Sequence, residues 1–175
     1  MAVYVESDRL EEGLAHILDA PSDVGTVELV VRRPAEGERE ILDEGMIDFP
    51  GLVGDRHTLR ENAHPGTAIT LINTRVIDLV SGGRERWALA GDQLYVDFDL
   101  RHENLPTGTQ LAVGSAVLEV SDLPHTGCAK FTARFGSDAT RFINGKPHRE
   151  LRLRGMNTRV VTPGAVRPGD TIRKL

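Results

Sequence analysis

The chain of 175 residues holds one cysteine, Cys128, and only 5% aromatic residues. A single thiol excludes an internal disulfide and a structural zinc site built on paired cysteines. Scarce aromatics poorly supply the stacking platforms that bind single-stranded nucleic acid. Positive charge is not in excess either: 21 basic side chains face 26 acidic ones, for a net charge of −5. An acidic chain gains no general counterion-release advantage on DNA, so nucleic acid is not expected as a partner. No apolar run approaches the roughly 18 residues of a membrane span. The opening MAVYVESDRLEEG lacks the basic flank and apolar stretch of a signal peptide. With no membrane segment and an unpaired thiol, the cytoplasm is the expected location. A phosphate-binding loop, a dinucleotide fingerprint and a nucleophilic serine elbow are also missing.

What remains is an ordinary globular composition, 39% hydrophobic and 27% charged. The length fits one domain able to bury a core without disulfides. SDRLEEGLAHILDAP reads as an amphipathic helix with Leu10, Leu14, Ile17 and Leu18 on one stripe, capped by Ser7 or Asp8. GTVELVVRRPAEGEREILDEGMI reads as a β-hairpin, with Val27, Leu29 and Val31 alternating on its first arm. FPGLVGDRHTLRENAHPG has no periodicity and is expected to be a long loop. TAITLI is a short strand, and Asn73 or Thr74 caps a following helix that Gly82 ends. LYVDFDL alternates through Leu94, Val96, Phe98 and Leu100, and TQLAVGSAVLEVSDL reads as two strands meeting at Gly114-Ser115. DATRFIN is a helix with Phe142 and Ile143 inward, and the tail is short strands broken by Pro-Gly turns. Many short strands and few helices indicate a mainly β fold, an antiparallel barrel or sandwich.

Cys128 can be a buried hydrophobe, a metal ligand or a nucleophile. Thr126 is a good N-cap, and it would place Cys128 in the first turn of a helix over GCAKFTARFG. Backbone N–H groups there favour a thiolate, and His125 and Lys130 add positive potential. Unpaired cysteines are also commonly buried and inert, and the local sequence leaves both readings open. His57 and His64 lie seven apart, which fits no helical metal pair, and they read as loop histidines. Only His148 follows the cysteine, which matches a papain-like arrangement poorly. In HRELRLRG, Arg149, Arg152 and Arg154 are either solvated surface charges or the lining of an anion pocket.

Several stretches, in order, carry a resemblance: GLVGDRH, AITLINTRVI, GDQLYVDFDL, HENLPTGTQLAVGSAVLEVSD, PHTGCAKF and RGMNTRVVTPGAVRPGD. From Thr26 to the end the chain resembles the MOSC domain, named for the C-terminal domain of molybdenum cofactor sulfurases. The resemblance implies a closed or partly open antiparallel β-barrel like that of pyruvate kinase, over residues 26–175, with residues 1–21 a helical arm on the same single domain. It also implies molybdenum cofactor or sulfur-transfer chemistry, in which Cys128 carries sulfur as a persulfide or ligates molybdenum. His125 and Lys130 would serve that thiol. Thr126, Asn104, Arg56, His57, Arg154 and Arg159 would bind cofactor, the arginines and His57 forming a pocket for the pterin phosphate. Small bacterial members commonly show Gly-Glu-Asn where this chain has His102-Glu103-Asn104. The implied partners are a cysteine desulfurase or a reductase, with reduction of N-hydroxylated compounds or non-catalytic cofactor carriage as alternatives. The family is also described as binding pyridoxal phosphate. This chain is too short to include a desulfurase module and shows no lysine placed for a Schiff base, so that cofactor is not expected.

Overall fold

A computed structural model describes residues 4–175; the first three residues of the N-terminal arm lie outside it. The arm forms two short helices, α1 (Ser7–Glu12) and α2 (Leu14–Leu18), separated at Gly13, rather than one. Leu10 and Ile17 are buried as the stripe requires, while Glu6, not Ser7 or Asp8, stands at the N-cap.

Strand β1 (Val24–Arg32) then pairs with the two-residue β2 (Glu40–Ile41) through Val31 and Arg32. The expected alternation of Val27, Leu29 and Val31 fails at one point. The pairing of β1 with its neighbour slips between Val27 and Leu29, and such a bulge turns later side chains to the other face. Val27 and Val30 therefore point into one core, and Leu29 and Val31 into another.

The end of the stretch read as a hairpin forms a small strand, β3 (Gly45–Asp48), and the stretch read as a loop contains β4 (Gly51–Leu52) and 3-10 turns at Arg56–Leu59 and Pro65–Thr67, the last ending one residue past it. Strand β5 (Ile69–Asn73) leads into helix α3 (Thr74–Ser81), where the Asn73 side chain accepts from the Arg75 N–H. Gly82, at φ +74°, ends the helix in the left-handed conformation glycine favours. A 3-10 helix at Arg84–Ala90 completes the crossover to β6 (Leu94–Asp97). The remaining elements are β7 (Gln110–Val113), β8 (Ala116–Val120), α4 (Ala129–Phe135), α5 (Ser137–Asn144), a 3-10 segment at Lys146–Leu151, β9 (Met156–Thr162), β10 (Gly164–Val166) and β11 (Thr171–Lys174).

Seven strands close a barrel in the order β1-β11-β7-β8-β9-β5-β6 and back to β1. It is mixed rather than wholly antiparallel, because β5 and β6 run parallel. A parallel pair needs a crossover, and the α3 segment supplies it. Strands β10, β3 and β4 form a separate small sheet. The barrel interior is filled by residues such as Leu71, Leu94, Val96, Phe98, Leu118 and Met156. A second core lies between the helices and the barrel wall, around Ile77, Trp87, Tyr95, Phe131, Phe135 and Phe142. It fixes α4 against the barrel and so sets the place of Cys128. No helix among the described residues is long and apolar enough to cross a membrane.

Candidate functional site

Cys128 is exposed and stands at the N-cap of α4. Thr126 does not cap the helix; the helix begins two residues later than its expected cap allows, and Thr126 lines the adjoining cleft. The sulfur thereby sits where the first helical N–H groups converge. The Phe131 N–H is the main influence holding the thiol below its ordinary pKa. Partial burial opposes it, and the Lys130 N–H, the Arg154 charge and the N–H of Cys128 itself add to it. The Lys130 ammonium instead pairs with Glu36 on the loop after β1.

The backbone before the sulfur is clamped. Asn144, at the end of α5, accepts from the Gly127 N–H at 2.9 Å and donates to the Gly127 carbonyl at 3.0 Å. A Cβ on Gly127 would lie 2.8 Å from the Ile143 Cδ1, so this close approach calls for glycine.

Beneath the segment lies a buried polar hub at Asp92, which is 0% exposed. One carboxylate oxygen meets His125 Nε2 at 3.0 Å, and the other accepts from Arg154 Nη1 at 2.7 Å. Arg154 also donates to the Ala90 carbonyl at 3.0 Å and stacks over Phe131. Burial raises the Asp92 pKa, but the Arg154 charge and the His125 hydrogen bond outweigh it and keep the carboxylate ionised. Burial, then the Arg154 charge, depress His125, which Asp92 only partly offsets. The neutral ring therefore donates its Nε2–H to Asp92 and leaves Nδ1 as an acceptor.

A cleft of about 550 Å³ opens beside this hub. One wall is Ser121 to Thr126, the segment leading to Cys128; the opposite wall is Arg149 to Met156. Arg152 projects there from a left-handed backbone, φ 48°, and donates to the Leu105 carbonyl at 2.6 Å. A non-glycine residue at such φ carries strain that the surroundings must hold. Arg154 Nε is buried without a hydrogen-bond partner.

The structure thus brings His125, Thr126 and Arg154 together in the cleft next to Cys128. Arg56 and His57 lie on another turn. The Arg56 N–H donates to Arg33, and the His57 N–H donates to Asp55. Arg159 is exposed on β9, 3.8 Å from Glu119. Asn104 donates to the Ser22 and Asp99 carbonyls and accepts from Lys174, a tether between the segment just after the arm and β11. None of these four lines the cleft, and neither Cys128 nor Lys130 is among its lining residues. Sequence reasoning passed over Asp92 and Asn144. Asp92 follows a left-handed Gly91 just before a strand, the one local sign of a carboxylate turned inward.

A sequence model of the MOSC domain matches residues 64–173. The chain belongs to the MOSC domain family. Among solved structures, YuaD from Bacillus subtilis is similar over 85% of this chain and 94% of its own, with 18% identity and a TM-score of 0.62. YiiM from Escherichia coli is similar over 86% of this chain and 69% of its own, at 20% identity and 0.56. YiiM from Geobacillus stearothermophilus is similar over 89% and 74%, at 14% identity and 0.56. At such identities the likeness concerns the fold. No curated protein sequence matches this MOSC chain.

Proposed function

We propose that this MOSC protein handles molybdenum cofactor or sulfur through Cys128, used as a thiolate just beyond the segment that walls the cleft. The observation that carries the reading is an exposed thiol, held below its ordinary pKa, two residues beyond Thr126 in the wall of a cleft. Such a sulfur is a soft ligand and a nucleophile near neutrality.

The residues present fit the cofactor. No cluster of three or more His, Cys, Asp or Glu among the described residues could hold a bare metal ion, so a metal here would arrive with ligands of its own. The cleft falls within the usual size of small-molecule sites. The buried, partnerless Arg154 Nε and the neighbouring Arg149 and Arg152 suit an anionic group. Cys128 would supply the protein's thiolate, the cleft arginines would hold the phosphate, and Asn144 would fix the cysteine backbone. When bound, the cofactor would supply two-electron redox chemistry, and N-hydroxylated compounds are its candidate substrates, with a reductase as partner. His125 Nδ1 is a proton acceptor in the same wall.

The exposure of Cys128 favours a second reading, in which a macromolecular donor reaches it directly. The thiolate would attack the outer sulfur of a cysteine desulfurase persulfide. The donor cysteine leaves as a thiolate, and Cys128 keeps the sulfur as a persulfide.

Metal analysis of protein made in a cofactor-competent host separates the two. Near-stoichiometric molybdenum that Cys128→Ser abolishes supports cofactor binding, and turnover of an N-hydroxylated compound then distinguishes an enzyme from a carrier. A mass gain of one sulfur atom after exposure to a desulfurase, without molybdenum, supports transfer. If Cys128→Ser retains whichever property the native protein has, Cys128 is not the working residue.

A further inference from the structure

The clamp on the cysteine segment is built on an asparagine that glycine follows. Of Asn62, Asn73, Asn104, Asn144 and Asn157, only Asn144 precedes a glycine, Gly145. A glycine has no side chain to shield its backbone nitrogen, and that nitrogen can attack the amide of the asparagine before it.

Two local demands bring this pair together. The clamp uses both the donor and the acceptor of the Asn144 amide, at the last residue of α5. The chain leaves that helix through Gly145, where a Cβ would lie 2.9 Å from the Arg141 carbonyl oxygen. Such an approach to a backbone atom calls for glycine. A reactive dipeptide is the outcome.

The attacking nitrogen is left free. The residues that close α1, α2, α3 and α4 each donate an N–H to a carbonyl of their own helix. Among the described residues, the Gly145 N–H donates to no backbone carbonyl. Asn144 is exposed and borders the cleft, so water reaches it. It also ends its helix, where local opening is easiest. What opposes reaction is the clamp, whose bonds of 2.9 and 3.0 Å hold the amide against Gly127.

From this arrangement we infer that Asn144 is a deamidation site whose conversion releases the backbone before Cys128. When the clamp opens, the Gly145 nitrogen gives its proton to solvent and bonds to Asn144 Cγ. The Cγ–Nδ2 bond breaks, and Nδ2 leaves as ammonia from a five-membered succinimide. Water then opens one ring carbonyl or the other, giving aspartate or isoaspartate. One amide and one water become one carboxylate and one ammonium, with no oxidant or reductant. In the aspartate an oxygen replaces Nδ2 and faces the Gly127 carbonyl with no proton between them. In the isoaspartate the main chain gains a carbon and the carboxylate moves from its place. Either product removes the donor half of the clamp. The new negative charge beside Gly127 also disfavours a thiolate at the next residue.

Peptide mapping of native protein aged for days at mildly alkaline pH tests this. A mass gain of about one dalton is expected on the peptide carrying Asn144, with isoaspartate detected there by methyltransferase labelling. The other asparagines should stay unchanged over the same time, and the urea-unfolded chain should convert faster at Asn144, because no clamp opposes the attack. In the aged protein, and in Asn144→Asp made directly, the Gly127 N–H should exchange with solvent about two- to tenfold faster, the effect of one ordinary hydrogen bond lost. Neither readout involves the thiol, so failure here stays distinct from failure of the cysteine reading. Native protein that stays unmodified at Asn144 while the unfolded chain deamidates, or a Gly127 N–H that exchanges at the native rate after conversion, overturns the proposal.

Discussion

Two positions before β6 stands Asp92, and two positions after it stands Asp99; both are nearly sealed from water and both hold an arginine. Asp99 is served locally. Arg101 donates to it through its backbone N–H and its side chain, and Asn104 fastens its carbonyl to Ser22, just after the N-terminal arm. Asp92 draws its partners from far along the chain, His125 and Arg154, and these lie in the cleft beside Cys128. One end of the strand is a tether and the other organises a candidate site. The same residue type, equally buried, takes its role from whether its partners are neighbours in sequence or only in space.

The sharpest way to break this contrast is to neutralise each carboxylate. Asp92→Asn leaves Arg154 buried without a counter-charge, and urea unfolding should show a loss of about 3–5 kcal/mol. Asp99→Asn should cost less, about 1–2 kcal/mol, because the Arg101 side chain is 31% exposed and can turn to water. Equal losses at the two positions would remove the distinction between tether and hub.

Acid should sharpen it. His125 and His57 are both held below the ordinary histidine value of 6.5, mainly by burial. The unfolded chain therefore takes up protons that the folded one resists. Stability contributed by these groups is complete above pH 6.5 and declines as pH falls below it, by at most about 1.4 kcal/mol per pH unit for each histidine. Asp92, depressed in its turn, contributes fully above its ordinary value of 3.8 and loses its contribution only in stronger acid. His125→Gln should flatten the decline between pH 6.5 and 4 without removing it, since His57 still titrates. Chemical denaturation across that range is the check.

Much of the barrel was legible in the sequence because its signals are local. Asn73 and Gly82 bound α3 as their types require, and Gly114-Ser115 turns β7 into β8. The parallel β5–β6 pair and the bulge in β1 were not, because both depend on which strand comes alongside. The site divides in the same way. That a helix begins close to Cys128 follows from a short stretch, although the thiol stands at the N-cap and not in the first turn, and its exposure depends on how α4 packs. The Asp92 hub and the Gly127–Asn144 clamp join residues distant in the chain, and no pattern of spacing announces them. Asn104 shows the converse: a residue of a resembling motif sits 2.8 Å from Lys174 in a tether, outside the cleft.

The most direct test of the account is the rate of Cys128 alkylation by iodoacetamide measured against pH. An exposed sulfur favoured by the Phe131 and Lys130 N–H groups and by Arg154 should give a single titration with its midpoint below the ordinary thiol value of about 8.5. A midpoint at or above that value, or a thiol that reacts only after unfolding, would contradict it.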